Sequence, residues 1–233
     1  MDFTGSGPRR AKAFDGVSDI DPAREAGLNT AQSIARDLRE QILTGKLAPS
    51  TRVTQRNLAA RFGRSPMPAR DAVKILLAEG LVIQEGSKTI VVAPVTLDDF
   101  IEIMDLRAAL EPRALELSIP RLSTGHFEQA RAALARSGTT DDEREMVENH
   151  WAFHRALYSA AGRPRLLALI EQQHNLLKRY LLPDWAMLGV MKEWGEDELE
   201  LMELVEQRRV AEAAEWLRRD LRLAADRVVR PSR

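Results

Sequence analysis

TQRNLAARFGRSPMPARDAVKILLAEG, residues 54–80, decides the fold of the first part of this chain. A short helix fits Thr54–Phe62, and Gly63 suits the left-handed residue that ends it. Ser65 is a good N-cap and Pro66 a good first helical residue. A second helix then runs to about Glu79, where Gly80 stops it. Two helices joined by about three residues that include glycine make a helix-turn-helix. On the second helix Ala69, Val73, Leu76 and Leu77 share one face, while Met67, Arg70, Asp71 and Lys74 share the opposite one. From Lys46 to Lys74 the chain carries seven basic residues against the single acid Asp71. One face is suited to a core, and the other has the charge needed to meet a polyanion.

The neighbouring segments complete a winged helix. Upstream, Ile34, Leu38 and Ile42 form the stripe of a helix that starts at Thr30 and ends at Gly45. The loop GKLAPST leads into the quoted stretch. Downstream, LVIQE and TIVVA are β-branched runs joined by GSK, a hairpin with Lys88 near its tip. Such a module can lay its second helix in the major groove and its wing on the DNA backbone. Residues 1–28 hold four glycines and two prolines without helical periodicity. They read as a flexible N-terminal arm in which Arg9, Arg10 and Lys12 could touch a minor groove.

After Pro94 the character changes. Residues 29–94 carry a net charge of +5 and residues 95–233 a net of −5, which suggests two modules with two jobs. Thr96–Asp99 is a helix start, and everything beyond it is helical in pattern, over 97–118, 124–136, 141–161, 164–181, 194–207 and 209–229. The expected fold class is therefore mainly α: an N-terminal winged helix-turn-helix with a small β-hairpin wing over 29–94, and an all-α bundle over 95–233. With no cysteine, disulfide frameworks, Cys-based zinc fingers and thiol nucleophiles are excluded. No apolar run approaches a membrane span and no signal peptide is visible, so a cytoplasmic protein with no membrane partner is expected.

The bundle carries a polar pattern on faces that should be buried. His150 and His154 lie four apart on one helix face with Met146, Phe153, Leu157 and Ala161. Glu198 shares a stripe with Trp194, Leu201, Met202 and Val205. Asp220 lies among Ala213, Trp216, Leu217, Leu223 and Ala224. His174 lies with Ile170, Leu177 and Leu181, and Arg107 with Phe100, Ile103, Leu110 and Ala114. Ionisable groups on core faces are costly unless paired or bound to something, so they point to one shared polar cavity. Two arrangements satisfy them: a divalent metal, or a metal-free hydrogen-bond network of the two histidines against Asp220 and Glu198. Arg107 can likewise contact a ligand or form an i,i+4 salt bridge with Glu111.

The order of the parts resembles the GntR family of bacterial transcription regulators, in its FadR-type (FCD) branch, over roughly residues 29–229. The resemblance rests on ILTGKLAPSTRV, RDAVKILLAEGLV and the wing in the first module. In the second it rests on LRAALEPRALEL, FHRALYSAAGRPRLL and AEAAEWLRRDL. The family contacts DNA through an Arg early in the second helix and a Ser-Arg-Thr-Pro-x-Arg run opening the third. Arg56 matches the first, and Ser65, Pro68 and Arg70 match the run. Pro66 stands in place of its first Arg and Met67 in place of Thr, so Arg64 is a local substitute. With Lys74 and Lys88, these are the expected DNA-binding residues. Metal-binding FCD domains use Asp-x-x-x-His on one helix and a His on each of the last two. His154 matches the helix His, His150 stands in the Asp position, and Glu198 and Asp220 fall at the two later His positions. This implies a metal site of His150, His154, Glu198 and Asp220, suited to Zn, Mn, Fe or Ni. Arg107, His150, His154 and His174 would then form an effector site for a small organic or sugar acid. The resemblance implies a homodimer on double-stranded operator DNA, which fits a palindromic site read by two recognition helices. The rival readings are a metal-dependent enzyme and a metal-only sensor built on His150 and His154. Against the enzyme stand the missing HExxH and the absence of a paired general base or an oxyanion donor set.

Overall fold

The computed structural model describes residues 30–62, 66–140, 142–181 and 194–229. The N-terminal arm read over 1–28, with Arg9, Arg10 and Lys12, lies outside them, as do Gly63, Arg64 and Ser65. The chain divides into two compact units, with the boundary between Val95 and Thr96.

The first unit begins with α1 (Thr30–Leu43), whose Ile34, Leu38 and Ile42 are buried. Gly45 takes the left-handed conformation (φ 72°) that turns the chain after it. Thr54 then caps α2 (Gln55–Arg61), its hydroxyl accepting from the Asn57 amide at 3.1 Å. α3 (Pro66–Ala78) turns Ala69, Ala72, Val73 and Leu76 into the core. Arg39 of α1 forks onto the carboxylate of Glu79, just beyond the end of α3, with Nε donating at 2.8 Å.

The wing strands β2 (Val82–Glu85) and β3 (Thr89–Val92) pair antiparallel, with Val82 opposite Val92 and Glu85 opposite Thr89. A third strand, β1 (Arg52–Thr54), pairs with the other edge of β3, giving the order β1-β3-β2. The sequence places these residues in a loop and at the start of a helix. So short a strand cannot show an alternation, and its partner lies beyond two intervening helices. Thr54 serves both elements, closing the strand and capping α2.

The second unit is built on α4 (Leu97–Ser118), which starts where the Thr96 hydroxyl accepts from the Asp99 amide at 3.2 Å. The helix continues through Pro112, which supplies no amide hydrogen to the turn before it. α5 (Thr124–Ser137) packs on α6 (Glu143–Tyr158). A short 3-10 turn and Gly162 (φ 64°) lead to α7 (Pro164–Leu177). α8 (Trp194–Glu206) and α9 (Val210–Val229) close the unit. α4 packs on α6, α7 and α9, so polar groups on its buried face meet whatever those helices turn inward. No described helix is long and apolar enough to cross a membrane.

Candidate functional site

In the first unit, the outward face of α3 and its surroundings hold the residues expected to meet DNA. Arg56, Met67, Arg70, Lys74 and Lys88 are exposed, and Pro68 is half-buried. Met67 is the most open large apolar side chain among the described residues, at 73% exposure. Lys74 pairs with Asp71 at 2.8 Å. Arg52 pairs with Glu85 across the wing at 2.7 Å, and Arg61 donates to Gln41 at 3.0 Å. Arg56, Arg70 and Lys88 have no ion-pair partner among the described residues.

In the second unit the polar stripes converge. Among the described residues, His150, His154 and Glu198 form a group whose ligand atoms all lie within 4.8 Å of one another. His150 Nε2 contacts Glu198 Oε1, His154 Nε2 lies 3.2 Å from His150 Nε2, and His154 Nε2 lies 3.9 Å from Glu198 Oε1. Burial, reinforced by His150 and Arg107, holds the His154 imidazole well below its ordinary pKa, so it stays neutral and keeps a lone pair. Two nitrogens on one ion at roughly 2.0–2.1 Å stand about 3.0–3.4 Å apart, and the 3.2 Å between the imidazoles fits that spacing, whereas Glu198 lies too close to His150 and, at 3.9 Å, too far from His154 and must shift to share an ion with them. The residue types suit a divalent transition metal.

Asp220 lines the same cavity but does not belong to the close group. His174 also lines it, and neither of its ring nitrogens has a hydrogen-bond partner among the described residues. Its ring stacks on Trp151 at 4.1 Å, and burial holds its pKa well below the ordinary value, with Arg107 and Lys178 adding to the effect. Arg107 forms the salt bridge of its sequence reading, with Nε donating to Glu111 Oε1 at 2.6 Å, and it also lines the cavity. The cavity volume is only about 20 Å³, enough for one water or one ion.

One residue of this network, Tyr158, escapes the sequence reading, and Glu111 has a partner beyond the expected Arg107. Glu111 is 0% exposed and uses both oxygens, accepting from Arg107 and, at 2.8 Å, from the Tyr158 hydroxyl. Tyr158 also lies 3.1 Å from His154 Nδ1. The spacing His150–His154–Tyr158, with i, i+4 and i+8 on one helix face, is the signal that reveals it.

Residues 30–92 match the family described as bacterial regulatory proteins, gntR family, and residues 102–223 match the FCD domain, which alone spans more than half of the chain. The chain belongs to the GntR family of transcription regulators, FCD branch. Among its GntR relatives is the HTH-type transcriptional repressor GlaR of Escherichia coli strain K12, 29% identical over 62% of this chain and 69% of that protein. A gluconate operon transcriptional repressor of Bacillus licheniformis is 32% identical over 72% of this chain and 70% of its own length. The crystal structure of a GntR-family regulator from Pseudomonas syringae pv. tomato DC3000 is 30% identical, covering 90% of this chain and 88% of that one with a TM-score of 0.51. These relatives are regulators, which corrects the metal-dependent enzyme reading: the histidines sit in the FCD half of a DNA-binding protein.

Proposed function

We propose that this chain is a cytoplasmic, homodimeric regulator that reads operator DNA through α3 and senses a small organic or sugar acid through a metal centre in the helical unit. The observation that carries the reading is the convergence of His150, His154 and Glu198, with both histidines on the wall of a cavity that Arg107 also lines. These three residues would hold the ion, with Asp220 on the same wall as a fourth donor. Zinc, manganese, iron and nickel all accept this ligand set. When bound, the ion supplies a positive charge that an anionic oxygen can complete. Arg107 would take an acid's carboxylate in a charge-assisted pair, and His174 offers two nitrogens beside it that are unpartnered among the described residues. The gluconate operon relative supports a sugar acid as the effector class.

The size of the cavity favours a second reading, a metal-only sensor, because about 20 Å³ admits an ion and no organic acid. For the acid reading, side chains around the cavity must move on binding. Elemental analysis of tag-free protein followed by metal loading at neutral pH is the test. At least half an equivalent per chain is expected, and none after His154→Ala, with operator binding retained. Less than about a tenth of an equivalent after loading sinks the metal centre. Calorimetry of the loaded protein with dicarboxylic and sugar acids separates the acid sensor from the metal-only one. A monomer mass in light scattering at micromolar concentration contradicts the dimer.

At the DNA face we assign contacts to Arg56, Met67, Pro68, Arg70, Lys74 and Lys88, with Ser65 from the family run and Arg64 as the local substitute for its missing Arg. Arg70→Ala is expected to weaken binding to an operator selected from random duplexes by about 1–3 kcal/mol. Gel-shift titration at fixed salt measures it, and unchanged affinity removes Arg70 from the face. A salt slope reduced by about one marks a phosphate contact, and an unchanged slope a base contact.

A further inference from the structure

We infer that Tyr158 is a positioning residue: together with Glu111 it fixes the tautomer of His154, so that the bare Nε2 faces His150 and Glu198. The purpose of the device rests on the metal-centre reading, but its geometry does not.

Glu111 sits fully buried against the Arg107 guanidinium, whose Nε donates to Oε1 at 2.6 Å. A carboxylate paired in this way only accepts. Its other oxygen, Oε2, takes the Tyr158 hydroxyl at 2.8 Å, so the single phenolic proton is committed there. Tyr158 Oη also lies 3.1 Å from His154 Nδ1. With its proton spent, that oxygen can only accept from the imidazole. The ring proton must therefore sit on Nδ1, and a neutral imidazole has no second one. Nε2 is left as a lone pair, 3.2 Å from His150 Nε2 and 3.9 Å from the Glu198 carboxylate oxygen. The chain runs in one direction, from His154 Nδ1–H to Tyr158 to Glu111, with Arg107 anchoring the far end.

Every member of this chain is buried. A ligand histidine usually donates its second nitrogen to a fixed acceptor, which orients the ring and raises its basicity. Here the acceptor is a phenol held by a carboxylate. A helix face supplies the register, since His154 and Tyr158 are four residues apart on α6. A purely packing role for Tyr158 would be kept by phenylalanine, which preserves the ring and deletes only the hydroxyl.

The experiment uses the full-length, metal-free protein at pH 8, with ring nitrogens observed by long-range proton–nitrogen NMR. The His154 signals are identified by their loss in His154→Ala. The expected wild-type pattern is a protonated Nδ1 and a bare Nε2, with Tyr158→Phe shifting the ring toward the Nε2–H form. In parallel, zinc affinity measured against a competing chelator should fall about 10- to 100-fold in Tyr158→Phe. A wild-type ring protonated on Nε2 overturns the inference, and that result does not depend on the variant folding. An unchanged tautomer and zinc affinity in Tyr158→Phe overturn it too. If the tautomer is as expected and wild type binds no zinc, the positioning role stands and the metal-centre reading fails.

Discussion

Glu111→Ala should destabilise the helical unit by about 3–5 kcal/mol, the cost of breaking a buried ion pair from one side. Glu111 is 0% exposed and the Arg107 side chain nearly so. Removing the carboxylate strands a guanidinium in the core and leaves the Tyr158 hydroxyl without its acceptor. The intact pair need not contribute much net stability, because its attraction largely offsets the desolvation of both charges. The asymmetry yields a control. Arg107→Met combined with Glu111→Leu removes both charges and keeps most of the volume, so it should cost less than Glu111→Ala alone. All four tryptophans lie between residues 151 and 216, so their fluorescence during urea unfolding reports the helical unit. A loss below about 1 kcal/mol for Glu111→Ala would mean that Arg107 finds another partner or reaches water.

The same pair shows what sequence can and cannot reveal. Helix ends are legible because single residues set them: Thr96 as a cap, and Gly45 and Gly80 as left-handed stops. The hairpin is legible from its β-branched runs. β1 is not, because pairing between Arg52–Thr54 and β3 is non-local. For the cavity, helical periodicity places His150, His154, Glu198, His174 and Arg107 on inward faces, and the faces do meet. Periodicity fixes direction to within a helix face but not to within a side-chain length. Asp220 therefore lines the cavity without joining the close group. Nor can periodicity assign protons, so the role of Tyr158 emerges only once its hydroxyl has partners.

Acid should weaken the folded state more steeply than exposed histidines would allow. Burial is the first cause that holds both His154 and His174 well below the ordinary histidine pKa. His150 and then Arg107 add to it for His154, and Arg107 and then Lys178 for His174. In the unfolded chain both rings take up protons near pH ~6.5. The sign follows from which state binds more protons. Above about pH 6.5 both states hold neutral rings, and the contribution is constant. As the pH falls below that value the unfolded chain gains protons that the folded unit excludes. Stability therefore drops, and it continues to drop until the folded pKa values are reached. Each ring contributes a slope of up to about 1.4 kcal/mol per pH unit, and the two together up to roughly 2.7 kcal/mol per pH unit. Urea midpoints at pH 7, 6 and 5, measured in the presence of a chelator, should show this decline. Carboxylates held below their ordinary pKa add to it with the same sign, and those held above it by burial, such as Asp37, oppose it, so the assignment needs a variant. His174→Phe keeps an aromatic ring to stack on Trp151 and removes one titrating group. It should be less acid-sensitive than wild type by up to about 1.4 kcal/mol per pH unit. Equal slopes in the two proteins would mean that His174 is protonated in the folded unit, through a partner that reaches its buried nitrogens when the pH falls.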